Sequence, residues 1–151
     1  MKPQYHIAAS AAAAGALYWW TKSAAPAAGC LGGGILLDLD HVADFIVFSG
    51  EKFTVPDFLS WCNDVRWKKV TLLLHSYELF AVFAAWTLAR AGAETNGGLF
   101  LHGALAGAGL HMLMDQFGHN LVPRKRDVSP WFYFLTYRLL HDFSREKLLK
   151  Q

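Results

Sequence analysis

Acidic and imidazole side chains interrupt an apolar stretch of the sequence near residue 40. Asp38, Asp40, His41 and Asp44 follow directly on the run AAPAAGCLGGGILL. Carboxylates and imidazoles are the ligands of catalytic zinc and of related divalent ions, so these residue types in one short segment indicate a metal site. The alternative interpretation is a helix end that emerges into water, where the charges are only solvated.

Groups of the same chemistry recur in the other apolar segments. His75 and Glu78 are three residues apart and share a face if their segment is helical. Another set follows at intervals of four, namely His111, Asp115 and His119. One further imidazole, His6, opens the first apolar run. We expect these groups to meet inside one helical bundle and to hold one or two divalent metal ions, with zinc as the first choice.

The expected metal ligands come from every one of these segments. They are His6, Asp38, His41, His75, His111, Asp115 and His119. A hydrolytic site also needs a base for the attacking water, and we assign that catalytic role to Asp40 or Glu78. Asp44 suits an outer position or the surface equally well. His102 lies nine residues before His111, on the opposite face of a helix, and is expected to pack rather than to bind metal.

The composition indicates a membrane protein. Hydrophobic residues make up 54% of the 151 residues and charged residues only 17%, against about 25% charged in average soluble domains. The net charge of +2 and the dispersed basic residues form no basic stripe, so we expect no stable nucleic-acid partner. The length predicts one domain over residues 1–151. Cys30 and Cys62 are expected to be unpaired.

Four apolar segments are candidates for membrane helices. They cover residues 5–20, 24–48, 70–89 and 98–114. The predicted fold is therefore all-α, an integral membrane bundle of four transmembrane helices in the lipid bilayer. Residues 131–150 mix aromatic with basic side chains and are predicted to form a C-terminal interfacial amphipathic helix. The first segment also resembles a cleavable signal peptide, but the aromatic residues 18–20 at its end favour a retained helix.

The basic residues predict the orientation of this bundle. If the N-terminus is cytoplasmic, only Lys22 and Arg90 of the 14 basic residues lie outside, and the other twelve lie inside. His75 then lies five residues into the third segment from its cytoplasmic end. Polar groups from all four segments are expected to meet at this depth, in the cytoplasmic leaflet.

In these motifs the sequence resembles the inner-membrane-bound, metal-dependent hydrolases, small bacterial proteins of mostly uncharacterised activity. The resemblance rests on an ordered set: a His opening an Ala/Gly-rich helix (His6), Asp-x-Asp-His after glycines (Asp38, Asp40, His41), His-Ser (His75, Ser76) and His-x-x-x-Asp before a Gly (His111, Asp115, Gly118). It implies a protein of the bacterial inner membrane. Through a more distant similarity to zinc-dependent phospholipase C, it also implies phosphoester chemistry.

The chain departs from the family's pattern at two places, of which the first, Leu37 where a Pro commonly precedes the first Asp, is minor. The family's His-Arg pair, one turn before His-Ser, is Val70-Thr71 here, so a ligand and a phosphate-binding cation are missing. Arg66, Lys68 or Lys69 could supply the cation. The sequence thus predicts a membrane-bound, metal-dependent hydrolase that acts on a phosphoester or lipid-linked substrate at the cytoplasmic leaflet. Two alternatives stay open: a metal-binding or metal-transporting protein without hydrolysis, and a catalytically impaired scaffold.

Overall fold

The computed structural model describes residues 3–64, 66–92, 94–121 and 129–149, and over these residues it is helical without a named strand. The helices are α1 (Pro3–Thr21), α2 (Ala24–Leu36), α3 (Leu39–Phe48), α4 (Val55–Asn63), α5 (Tyr77–Arg90), α6 (Asn96–Leu121), α7 (Leu135–Leu140) and α8 (Arg145–Leu148). A 3₁₀ turn, Pro130–Tyr133, precedes α7. The prediction of an all-α fold is confirmed.

Glycines allow α2 and α6 to pack backbone against backbone. A Cβ atom at Gly33 would overlap the Ala104 carbonyl, and one at Gly107 would overlap the Cys30 carbonyl. Small residues in membrane helices allow two backbones to approach each other this closely. α1 packs against the same pair and brings its Ser10 hydroxyl to Gly34. These three helices form the scaffold that positions the polar side chains.

The second apolar segment is two helices rather than one. α2 ends at Leu36, and α3 begins at Leu39 after a two-residue turn at 37–38. In this turn Asp38 N–H donates to the Ile35 carbonyl at 3.2 Å, and His41 N–H donates to the Asp38 carbonyl at 3.2 Å. These are bonds between residues three apart, the 3₁₀ pattern, which winds the chain more tightly than an α-helix. The prediction of one continuous helix over 24–48 was therefore wrong.

The third helix starts later than predicted. α5 begins at Tyr77, and its N-cap is Ser76, whose hydroxyl accepts a hydrogen bond from Leu79 N–H at 3.3 Å. Residues 71–76, which we call the His75 loop, are not helical. Leu72 in this loop has a φ of 40°, a left-handed conformation that is unfavourable for a residue with a side chain. The prediction of a helix from residue 70, with His75 inside it, was wrong.

The C-terminal segment folds back onto the His75 loop. Val70 N–H donates to the Phe143 carbonyl at 2.9 Å, and Arg145 N–H donates to the Lys68 carbonyl at 3.3 Å. Around these bonds lies a buried apolar cluster of Val70, Leu72, Phe132, Tyr133, Leu148 and Leu149. The segment is a 3₁₀ turn and two short helices, and it places residues from both of its ends, Phe132 with Tyr133 and Leu148 with Leu149, in this cluster. The single amphipathic helix predicted over 131–150 was therefore wrong.

One helix in the described part of the chain is long and apolar enough to cross a membrane, the stretch Asn96–Gly118 of α6. Large side chains are exposed at the far end of α1, where Trp19 is 74% and Trp20 is 84% exposed. α6 continues past Gly118 to Leu121, so the spacing of four between Asp115 and residue 119 stays on one helix. The prediction of four membrane spans remains a prediction.

Candidate metal centre

Two buried imidazoles face each other at the centre of the polar cluster. His75 from its loop and His111 from α6 are each 1% exposed. Their Nε2 atoms lie 3.0 Å apart. Two imidazole nitrogens can approach so closely only if one carries a proton or if a cation lies between them. The other contacts of the two rings indicate which nitrogen of each ring carries the proton.

The Nδ1 atoms of both rings are held by acceptors. His111 Nδ1 is 2.6 Å from the Gly34 carbonyl, which can only accept, so the proton of the neutral ring is on Nδ1. His75 Nδ1 is 3.0 Å from the Asp40 carboxylate and carries its proton for the same reason. The two Nε2 atoms therefore present lone pairs. This orientation of a histidine by a carbonyl or carboxylate is the usual support of a metal-binding imidazole.

Two carboxylates complete a set of four ligand atoms. Asp115 Oδ2 lies 3.3 Å from His75 Nε2 and 3.5 Å from His111 Nε2. Asp38 Oδ1 lies 3.9 Å and 3.6 Å from the same two nitrogens. Around a zinc ion with ligand bonds of about 2.0 Å, tetrahedral geometry separates neighbouring ligand atoms by about 3.3 Å. The separations that involve the two imidazole nitrogens, 3.0 to 3.9 Å, thus suit zinc, and two carboxylates with two neutral imidazoles balance its charge.

The same cluster holds a proton strongly when it holds no cation. The His75 ring lies between two carboxylates, with Asp40 Oδ2 3.0 Å from its Nδ1 and Asp115 Oδ2 3.3 Å from its Nε2, so without a cation these groups favour a second proton on the ring. The excess negative charge of the carboxylates is the cause. A divalent cation would neutralise this charge in place of the proton.

His6 supports the cluster from α1. Its Nε2 is 3.1 Å from Asp115 Oδ1, and its ring stacks on His111 with centroids 3.9 Å apart. The side chain is 2% exposed, and its Nδ1 has no hydrogen-bond partner among the described residues. His6 thereby fixes the second oxygen of Asp115, and with His111 and Asp115 it forms another group whose ligand atoms lie close enough for a metal.

His41 and Asp40 lie beside the four ligand atoms in different ways. His41 Nε2 is 3.9 Å from Asp38 Oδ1, and the ring lies 6.0 Å from that of Trp67, on the wall of a cavity. Asp40 Oδ2 accepts hydrogen bonds from Leu74 N–H at 2.9 Å and His75 N–H at 3.2 Å. Asp40, predicted as a base, is thus bound to the His75 loop and orients His75.

Glu78, the other predicted base, does not reach the cluster. Its carboxylate accepts hydrogen bonds from Leu135 N–H at 2.8 Å and from Thr136 N–H and hydroxyl at 3.0 and 2.8 Å. The prediction assumed a helix that carries His75 and Glu78 on one face, whereas His75 precedes α5. Glu78 instead attaches the C-terminal segment to the first turn of α5.

The remaining predicted residues divide as follows. The side chain of His119 and residues 124–126 lie outside the described residues. His102 Nδ1 is 2.7 Å from the Gly98 carbonyl within α6, as expected for a packing histidine. Asp44 holds the His75 loop through Thr71. Arg66 pairs with Glu51 at 3.2 Å, and Lys68 and Lys69 are exposed, so in this structure none of the three supplies a cation at the cluster.

An apolar cavity of about 280 Å³ reaches the cluster from one side. Asp38, His41, His75 and Asp115 line its polar end, and Phe58, Leu59, Trp67, Phe132, Tyr133 and Leu149 are among its apolar walls. Trp67 Nε1 is buried and has no hydrogen-bond partner in the described part of the chain. Cys62 also lines the cavity, but burial, with the charge of Asp38, raises its pKa to about 12, so its surroundings disfavour the thiolate.

Neither Trp67 nor Arg138 was given a role at the site from the sequence. The place of Trp67 in the cavity follows from contacts that no local pattern shows. Arg138 was counted only among the twelve basic residues expected inside, yet it is fully buried. A signal was available, because Arg138 is the only charged residue in the apolar stretch WFYFLTYRLL.

Comparison with family models, with curated proteins and with solved structures found no match to this chain.

Proposed function

We propose that this protein is a membrane-embedded, metal-dependent hydrolase whose metal is bound by Asp38, His75, His111 and Asp115. The observation that carries the proposal is that the two imidazole Nε2 atoms lie 3.0 Å apart and each carboxylate has an oxygen 3.3 to 3.9 Å from both of them, with no proton donor directed at them from the neutral rings. When bound, a divalent metal supplies Lewis acidity and lowers the pKa of water toward neutrality.

The chain's own residues then have separate tasks. Asp40 keeps the His75 proton on Nδ1, and His6 holds the outer oxygen of Asp115. His41 is at the cavity wall next to Asp38, where its Nε2 can take a proton from the attacking water and return it to the leaving group. His41 thus replaces Glu78 and Asp40 as our choice for the base.

The cavity supports an amphiphilic substrate, either a lipid or a lipid-linked phosphoester. Its polar end is the metal cluster and its other walls are apolar. The apolar lining residues Ile7, Leu39 and Leu59 are 49%, 54% and 40% exposed, which suits a mouth that faces lipid. In this proposal α1, α2 with α3, α5 and α6 lie in the bacterial inner membrane, with both termini and the cluster on the cytoplasmic side.

The alternative is a metal-binding protein without turnover. It is favoured by the number of protein ligands, because four ligands close a structural zinc site, whereas catalytic sites usually have three and an open position. The cavity argues for catalysis, since Asp38, which faces it, has a side chain 26% exposed while the other three ligands are buried. Substrate or water can therefore approach the proposed metal position from the Asp38 side.

The test is metal content and hydrolysis measured side by side on the detergent-purified protein. Wild type should hold stoichiometric metal and cleave phosphoester lipids, Asp38→Ala should lose both, and His41→Gln should keep the metal and lose turnover. His102→Ala is the control and should lose neither. Wild type that holds metal but cleaves nothing in a broad panel of lipid and soluble phosphoesters would favour the binding or scaffold function.

A further inference from the structure

Arg138 is a buried cation that connects the C-terminal segment to the His75 loop. The side chain is fully buried. Its Nη1 donates to the His75 carbonyl at 3.1 Å and its Nη2 donates to the Leu72 carbonyl at 3.0 Å. The guanidinium also lies 5.7 Å from the centre of the Phe132 ring. A buried arginine is costly unless its donors are used, so these two contacts indicate a specific role.

Carboxylates hold the same loop through its N–H groups. Asp44 accepts hydrogen bonds from Thr71 N–H at 2.8 Å and Leu72 N–H at 3.3 Å. Further along the same loop, Asp40 accepts hydrogen bonds from the N–H groups of Leu74 and His75. The loop has one backbone hydrogen bond of its own, from His75 N–H to the Leu72 carbonyl at 3.1 Å. Its N–H groups otherwise donate to Asp44 and Asp40, and its two carbonyls also accept from Arg138, so three charged side chains do here most of what a helix or strand does for a regular segment.

The loop needs this support because its conformation is unfavourable in isolation. Leu72 has a φ of 40° and is held on both sides, through its N–H by Asp44 and through its carbonyl by Arg138. Such a conformation persists only where the surroundings enforce it. The metal ligand His75 follows three residues later, so any relaxation at Leu72 moves His75.

We propose that Arg138 is a positioning residue of the metal centre, which fixes the His75 loop so that His75 Nε2 stays beside the other three ligand atoms. This inference rests on the proposed metal site. It also makes residues 129–149 a part of that site rather than a surface attachment. Arg138 is not a substitute for the missing phosphate-binding cation, because both Nη atoms are used by carbonyls and the residue is not among those that line the cavity.

The experiment compares Arg138→Met, Arg138→Lys and the control Arg66→Met with wild type. Arg66 is a matched control because its guanidinium makes a surface pair with Glu51 in which both side chains are 43% exposed. Zinc affinity is measured by competition with a chelator, and the site geometry by the visible absorption of bound Co²⁺. Outer partners of metal ligands are typically worth about 10- to 100-fold in affinity. We expect that loss for Arg138→Met with a changed Co²⁺ spectrum, partial recovery in Arg138→Lys, and no change in Arg66→Met.

A second measurement separates this inference from the proposed function. Hydrogen exchange of the metal-free protein reports whether the amides of residues 71–75 are held. If wild type binds no metal, the proposed function fails, and faster exchange in Arg138→Met but not in Arg66→Met still supports the fixing of the loop. If Arg138→Met folds and keeps wild-type affinity, spectrum and exchange, the inference is wrong. If it does not fold, Arg138→Lys decides between the same outcomes.

Discussion

The substitution Asp40→Asn tests whether His75 is a metal ligand through Nε2. Asp40 Oδ2 accepts two backbone N–H groups, those of Leu74 and His75, and so this position must stay an oxygen in the variant. The new NH₂ group then occupies the position of Oδ1, which lies 3.0 Å from His75 Nδ1. Since His75 Nδ1 lies 3.0 Å from both oxygens of Asp40, the variant keeps one acceptor for its proton and sets a donor against it at the other position. The tautomer that carries its proton on Nε2, where it points at the metal position, is therefore favoured relative to wild type.

The expected loss follows from this change of tautomer. Removing the outer partner of a ligating histidine costs about 10- to 100-fold in metal affinity, which is about 1.4 to 2.7 kcal/mol. The shape of the side chain is unchanged and the loop amides keep their acceptor, so the free energy of unfolding of the metal-free protein should change little by comparison.

Zinc competition with a chelator measures the affinity, and thermal unfolding of the metal-free protein checks the fold. Asp64→Asn is the control, because Asp64 is exposed and accepts a hydrogen bond only from the nearby Ser60 hydroxyl at 3.0 Å among the described contacts of its side chain. Wild-type affinity in Asp40→Asn would refute the tautomer argument. A loss as complete as that of Asp38→Ala would instead make Asp40 itself a ligand.

Three further predictions concern other parts of the molecule. His111→Ala and Asp38→Ala should each release the metal, whereas His102→Ala should not, because the His102 ring is hydrogen-bonded within α6. Metal analysis of the purified variants tests this, and release by His102→Ala alone would contradict the proposed ligands. Glu78→Gln should keep the metal but lower the free energy of unfolding by about 1 to 3 kcal/mol, since the carboxylate accepts several hydrogen bonds; unchanged thermal stability with lost metal would reverse that assignment. Gly107→Val should separate α2 from α6 and abolish metal binding, because its side chain overlaps the Cys30 carbonyl; a variant with wild-type yield and metal content would show that the helices have room there.

Residue type and order were enough to predict most of the side chains that meet in the polar cluster. His6, Asp38, His75, His111 and Asp115 were all expected at a metal centre, and the structure brings them together. This worked because carboxylates and imidazoles have little reason to enter apolar segments unless they meet one another there. The all-helical fold followed from the same segments, since long apolar runs of small residues favour helices in contact.

The roles within the site depended on contacts that the sequence does not show. Glu78 was assigned as a base because three residues separate it from His75, a rule that holds only inside a helix. The His75 loop is not helical because Asp40, Asp44 and Arg138 bind its backbone, and Arg138 is distant along the chain. Local patterns describe neighbours in sequence, so a conformation imposed by remote charges was beyond their reach.

The two-residue turn between α2 and α3 also explains why His111 has its partner. In an unbroken helix the Gly34 carbonyl would accept the N–H of Asp38, four residues on. Here Asp38 N–H donates to Ile35 instead, and the Gly34 carbonyl accepts from His111 Nδ1 at 2.6 Å. One irregular turn therefore leaves an acceptor free for His111 and places Asp38, so that it contributes to two of the proposed ligands. An inserted or deleted residue at 37–38 would disturb both His111 and Asp38 at once, so this stretch should tolerate changes of side chain far better than changes of length.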